Sequence, residues 1–124
     1  MSKPTADPLR TLEEARRAVE DAARCDRQLK ELGTVRDQRI ADAMRRRLEQ
    51  RRSQDEAATA RATDLIYSSD RLTDRQRDVL LHRYVLGKSW RQVARAVDRS
   101  VRPCQIDRNE ALAALGAASD LKAV

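Results

Sequence analysis

Positively charged side chains recur at every fourth position in one short segment of the chain. Arg91, Arg95 and Arg99 have this spacing, and Lys88 comes just before them. Side chains four residues apart lie on the same side of a helix, and a row of cations there can hold phosphate groups. Trp90, the only tryptophan of the chain, lies in the same segment. These residue types predict binding of a polyanion.

The net charge of +6 is concentrated in the C-terminal part of the sequence. Residues 71–124 contain 11 Lys/Arg and 6 Asp/Glu, whereas residues 1–70 contain 15 and 14. A basic segment of this kind attracts polyanions, of which nucleic acid is the usual one. Charge that only keeps the surface soluble is an equally good interpretation of these totals.

The composition predicts an all-α protein. Charged residues make up 37% of the 124 residues and aromatic residues 2%, so a core must be built from Leu, Val, Ile and Ala. Gly and Pro number three each, which leaves few interruptions of regular structure, and Val, Ile and Thr form no alternating runs of the kind that mark strands.

The sequence offers no basis for an enzyme, a cofactor or a bound metal. There is one histidine, His82, and no Ser/His/Asp arrangement, glycine-rich phosphate loop or metal-ligand spacing. Cys25 and Cys104 are far apart, and no secretory or membrane-spanning segment is evident. We therefore expect two reduced thiols in a cytoplasmic protein without a membrane partner.

Residues 8–67 are predicted to form a long helical arm. Asp7 followed by Pro8 is a typical helix start, and Thr11 with Glu14 offers a second one. Gly33 can end this helix, and Thr34 can cap the next, along which Ile40, Met44 and Leu48 repeat every four residues. The arm is either a hairpin folded at Gly33, which we favour, or one long kinked helix. Its expected role is to pair two copies of the chain or to bind a partner.

Five arginines lie between positions 45 and 52 of this arm. They could contact phosphates, but Glu49, Asp55 and Glu56 lie nearby and favour an ordinary solvated helix face. The arm is predicted to end at Ser68-Ser69-Asp70.

Residues 72–116 are predicted to form a second unit with sharper helix signals. Thr73 with Gln76 and Ser89 with Gln92 are capping boxes, and Gly87 separates the two helices that they start. A turn at Asp98 and a cap at Ser100 lead into a further helix, 101–115, which is predicted to stop at Gly116 before a flexible tail, 117–124. The last two helices are predicted to pack through a motif core of Trp90, Val93, Ala94, Val97, Cys104 and Leu112.

Two short helices joined by a tight turn, each with one apolar side, are typical of the helix-turn-helix motif. In this motif the second helix presents long polar side chains to the DNA major groove. The predicted base contacts are Arg102, Gln105, Ile106 and Asn109. The predicted phosphate contacts are Lys88, Arg91, Arg95, Arg99 and Ser100. Trp90 is in phase with the apolar positions, so it is expected in the core rather than stacked on a base.

Residues 72–115 resemble region 4 of bacterial sigma factors. The resemblance lies in LLHRY (80–84), GKSW (87–90), QVA (92–94) and EALAAL (110–115). In having a tryptophan after G-x-S, the chain is similar to phage regulators of the RinA/ArpU type. These proteins join a helical N-terminal segment to a sigma-like helix-turn-helix. Asp98 stands where these families usually have a glycine, and Cys104 replaces their Val or Ile.

The resemblance implies a sequence-specific regulator of transcription that binds double-stranded DNA, and the likeness to the RinA/ArpU type implies that it is phage-encoded. We expect it to act as a homodimer paired through its N-terminal helices. Two alternatives stay open at this point. One is an adaptor that binds RNA polymerase or another protein through the sigma-like unit or the arm. The other is a small subunit of a phage DNA-packaging machine.

Overall fold

The computed structural model describes residues 7–123, with side chains as far as Gly116, and contains no strand in this range. The all-α prediction is therefore confirmed. None of the helices within the described range has the length and apolar character needed to cross a membrane. The five α-helices are α1 (Pro8–Glu31), α2 (Gln38–Ser68), α3 (Asp74–Leu80), α4 (Trp90–Ala96) and α5 (Val101–Ala123).

Helices α1 and α2 form the predicted antiparallel hairpin. Helix α1 starts as expected, with the Asp7 carboxylate accepting a hydrogen bond from the Leu9 N–H and proline at the first helical position. A 3₁₀ turn over Leu32–Thr34 then reverses the chain direction, and the two helices pack along their length. The alternative of one long kinked helix is wrong.

Helix α2 begins three residues later than predicted. Its N-cap is Asp37, whose carboxylate accepts from the N–H groups of Arg39 and Ile40. Thr34 instead donates its hydroxyl to the Glu31 carbonyl at 2.7 Å and belongs to the turn. Of the three apolar residues that repeat along α2, Ile40, Met44 and Leu48, only Leu48 is buried.

The C-terminal unit starts with helix α3, which both halves of the predicted capping box hold in place. Its last turn widens into a π-turn over Leu81–Val85, and the chain then bends at Gly87, where φ is +69°. A Cβ added at Gly87 would lie 2.8 Å from the Cγ1 atom of Val19 in α1. Glycine is therefore needed here both for the backbone conformation and for the close approach of α1.

Helix α5 runs as far as Ala123, and the predicted stop at Gly116 is wrong. Gly116 does not adopt the positive φ of a glycine that ends a helix, and glycine lowers the stability of a helix interior by only about 1 kcal/mol relative to alanine. Of the predicted flexible tail, residues 117–123 continue this helix, while their side chains and Val124 lie outside the described residues.

The largest buried cluster joins the N-terminal hairpin to the C-terminal unit. We call residues 8–19 and 58–68 the hairpin base and residues 20–57 the hairpin tip. Only the base contributes to this shared core, so the arm is not a separate unit along its whole length. The buried members of the shared core are Leu12, Ala15, Ala62, Ile66, Leu72, Leu80, Tyr84, Ala111 and Leu115.

The hairpin tip has a small apolar cluster of its own, made of Cys25, Leu32 and Leu48 with Leu29 and Val35 at its edge. Ion pairs between the two helices flank it, one from Arg51 to Asp21 and one from Arg52 to Asp26.

Candidate nucleic-acid interface

The turn between α4 and α5 is closed by a pair of backbone hydrogen bonds. The Arg99 N–H donates to the Ala94 carbonyl at 2.8 Å and the Asp98 N–H to the Arg95 carbonyl at 3.4 Å. Asp98 adopts φ +55° between them. Together these features form a Schellman motif, which requires a left-handed residue at this position. Aspartate tolerates that conformation better than most residues, so the turn forms without a glycine.

A second buried cluster sets the angle between α4 and α5. It contains Val79 from α3, Val93 and Ala94 from α4 and Cys104 from α5. Trp90, Val97 and Val101 are partly buried against it. Of the predicted motif core, Trp90, Val93, Ala94, Val97 and Cys104 lie in or against this cluster, whereas Leu112 packs against the shared core.

The four residues predicted to contact bases lie on the outward side of α5. Arg102, Ile106 and Asn109 are exposed and Gln105 is half-buried. The side of the helix that faces the protein carries Cys104, Asp107, Ala111 and Leu115, all of them buried. Ile106 is 47% exposed and belongs to none of the three buried clusters, so a large apolar side chain points outward among polar neighbours.

The residues predicted to contact phosphates are in three different environments. Arg91, Arg95 and Ser100 are exposed. Lys88 is half-buried, and its ammonium donates to the Nδ1 atom of His82 at 2.9 Å. This contact requires a neutral imidazole, and burial followed by the Lys88 charge lowers the pKa of His82 accordingly.

The Arg99 side chain is bound by a buried carboxylate of α5, a contact that was not predicted from the sequence. Its guanidinium donates to the Asp107 carboxylate at 2.7 Å, and Arg75 of α3 approaches the same oxygen at 3.4 Å. Asp107 is 5% exposed, so its charge depends on these two partners. The two ion pairs of Asp107 thus link α3, the turn and α5. The burial of Asp107 was indicated by the sequence, because this residue falls three positions after Cys104 and four before Ala111, at the spacing of the buried side of the helix.

The environment of Trp90 is more polar than a core position implies. The tryptophan is half-buried, and the Arg83 guanidinium lies over its ring at 4.7 Å from the centroid. Arg108 of α5 approaches to 5.8 Å. Both distances are within the range of a cation–π interaction. Trp90 therefore combines apolar contacts with the second buried cluster and cation–π contacts with two arginines.

Three of the five arginines in the segment 45–52 are occupied by ion pairs. Arg45 pairs with Asp42, Arg51 with Asp21, and Arg52 with Asp26 and Glu56. This agrees with the interpretation of the segment as a solvated helix face.

Comparison of the chain with protein-family models, with curated proteins and with solved structures gives no match.

Proposed function

We propose that the protein binds double-stranded DNA in a sequence-specific manner through α5 and acts as a regulator of transcription. The observation that carries this proposal is the outward side of α5. There Arg102, Gln105 and Asn109 offer hydrogen-bonding groups, and the exposed Ile106 among them offers an apolar contact. Such side chains are suited to the donor and acceptor pattern and the thymine methyl groups of the major groove.

The charge next to α5 supports the same function. Arg91 and Arg95 are exposed on α4, where they could contact the phosphates on one side of the groove. Arg99 is left out of this role because its guanidinium is bonded to Asp107. Its expected contribution is to keep α5 at a fixed angle to α4.

The hairpin tip is the part of the arm that supports the proposed homodimer. Its surface exposes Ile40 and Met44, which are 53% and 43% accessible, while the hairpin base is occupied by the shared core. A dimer joined at the tips would present two copies of α5 to two half-sites.

Selection of bound duplexes from a random pool tests the proposal, with the mass of the free protein and of the complex measured in parallel. We expect a palindromic site and a dimer. Affinity should fall steeply with salt, because phosphate contacts release counterions. Absence of duplex binding at low salt would contradict the proposal, as would capture of RNA polymerase by the protein in the absence of any DNA affinity.

Two variants separate the two kinds of contact. Asn109→Ala is expected to relax the base preference at one position, at a cost of about 1–3 kcal/mol for the preferred base. Arg91→Ala should weaken binding to all sequences alike and reduce the salt dependence. Arg61→Ala, which removes an exposed arginine of α2, is the matched control and should change neither property.

A further inference from the structure

Four arginines surround a cleft between the hairpin base and the C-terminal unit. The cleft has a volume of about 250 Å³ and lies against Trp90. Its arginines come from three elements that are far apart in sequence: Arg16 and Arg17 from α1, Arg83 from the π-turn and Arg108 from α5. Glu13 is the one carboxylate that lines it among the described residues.

The positive charge of this cleft is poorly compensated. Arg17 approaches Glu13 at 3.7 Å and Arg16 approaches Glu20 at 3.7 Å, both longer than a good charge-assisted hydrogen bond. Within the described part of the chain, Arg83 and Arg108 make no ion pair. Arg83 donates to the backbone carbonyl of Lys88 at 3.1 Å, which orients its guanidinium but does not neutralise it.

Three of the four guanidinium groups also have an unmet hydrogen-bond donor. The Nε atoms of Arg16, Arg83 and Arg108 are buried, and none has an acceptor among the described residues. A buried donor without a partner is costly. Burial, and then the adjacent Arg16 and Arg108 charges, also lowers the pKa of Arg83, as expected where cations are held together without an anion.

We propose that this cleft is a binding site for a small phosphorylated anion, of the size and charge of a diphosphate. Guanidinium groups bind phosphate oxygens in a bidentate manner, and a diphosphate offers enough oxygens to meet several of them. The cleft has room for such a group, and four guanidinium groups facing one carboxylate favour a multiply charged ligand over a singly charged one. The proposal does not depend on the proposed DNA binding.

The position of the cleft gives the bound anion a structural effect. A ligand there would contact α1, the π-turn and α5 at once, and would therefore fix the hairpin base to the helix that carries the proposed base contacts. By relieving the repulsion among the arginines, it should also stabilise the folded protein.

Trp90 allows binding to be observed at the site itself, because it is the only tryptophan of the chain. Its emission, excited at the long-wavelength edge of its absorption so that tyrosine does not contribute, is measured while sodium pyrophosphate is added to the full chain at low ionic strength. We expect a saturable change with a dissociation constant below about 1 mM. Sodium chloride at the same ionic strength should leave the emission unchanged. Adenosine diphosphate forms a second arm, and tighter binding than pyrophosphate would assign the ligand to the nucleotides.

Three variants connect the signal to the cleft. Arg16→Gln and Arg108→Gln, on different helices, should each weaken pyrophosphate binding on the order of tenfold. Arg27→Gln removes an exposed arginine of α1 outside the cleft and should bind as the unmodified protein does. If Arg108→Gln does not fold, as judged by circular dichroism, Arg16→Gln still provides the test.

Three results would overturn the proposal. The first is no saturable response up to about 10 mM pyrophosphate, beyond the range of specific affinity. The second is an equal loss of binding in Arg27→Gln. The third is a response to duplex DNA alone, which would make the cleft part of the DNA surface.

Discussion

The two ends of the hairpin are built from the same pair of helices but are stabilised in different ways. At the base, Leu12 and Ile66 are fully buried with residues of α3, the π-turn and α5. At the tip, a cluster of three buried residues and the ion pairs of Arg51 and Arg52 hold the helices together. The base therefore belongs to the fold of the C-terminal unit, and the tip is the part free to serve another purpose.

The largest expected difference between the two ends comes from removing buried side chains. Ile66→Ala in the base should lower the free energy of unfolding by about 4 kcal/mol, because it leaves a cavity in the shared core. Leu48→Ala in the tip should cost about 2 kcal/mol, since the smaller cluster can collapse around the gap. Urea unfolding followed by circular dichroism measures both, and equal losses would remove the distinction.

Glycine substitutions test the same contrast at the backbone. Gly87→Ala should cost about 2 kcal/mol, because alanine is strained at φ +69° and its Cβ would meet Val19. Val19→Ala in the same chain should recover part of this loss. The matched control is Gly33→Ala in the tip, where nothing lies within 4 Å of an added Cβ. A loss at Gly33 as large as at Gly87 would contradict the packing of α1 on the C-terminal unit.

A carboxyl pair in the tip should make its stability depend on pH. Burial, and then a hydrogen bond to Asp21, raises the pKa of Asp55 from 3.8 to about 6. The folded protein binds the Asp55 proton more tightly than the unfolded chain does. The contribution of Asp55 to the stability of the folded protein therefore falls as the pH rises from 3.8 to about 6. The hydrogen bond from Asp55 lowers the pKa of Asp21. The contribution of Asp21 to the stability of the folded protein therefore stays constant above pH 3.8.

Asp55→Asn isolates this effect, because the amide can still donate to Asp21 but does not ionise. At about pH 7.5 the variant should be more stable than the unmodified protein by about 1–2 kcal/mol, allowing for partial exposure. Below pH 3.8 the two should be nearly equal, because Asp55 is then protonated in both the folded and the unfolded state. Thermal unfolding at both pH values makes the comparison, and a difference that does not change with pH would show that the two carboxyl groups do not share a proton.

The smallest effect is expected from an ion pair of the tip. Arg52 and Asp26 are 42% and 46% exposed, so solvent screens their interaction. A double-mutant cycle with Arg52→Gln and Asp26→Asn should give a coupling of about 0.2–1 kcal/mol that declines with added salt. A coupling as large as the loss from Leu48→Ala would mean that charge, rather than apolar packing, holds the tip.

The features that could be predicted best from the sequence are the helix caps and turns, which depend on a single turn of backbone. The caps at Asp7, Thr73 and Ser89 and the turns at Gly87 and Asp98 could be predicted, because each depends on neighbours within four residues. At Asp37 local chemistry was ambiguous, since Thr34 is an equally good cap by residue type and only the path of the hairpin decides between them.

Features that depend on distant residues were not predicted. The Asp107 ion pair joins residues from three elements, and the arginines of the cleft lie at positions 16, 17, 83 and 108. Their proximity follows from the packing of the hairpin base on the C-terminal unit, which sequence periodicity does not reveal. Three predicted DNA contacts have neighbours that the sequence did not reveal: Gln105 and Lys88 are half-buried, the Lys88 ammonium contacts His82, and the Arg99 guanidinium is taken by Asp107.

The two cysteines provide a separate probe in each of these regions. Cys25 is buried in the tip and Cys104 under the α4–α5 turn, and neither forms a disulfide. Burial raises the pKa of both thiols, so a reagent that modifies thiols must wait for the chain around each one to open. The rates of modification in single-cysteine variants would therefore report the opening free energy of each region, and Cys25 should react first if the tip opens without unfolding the rest.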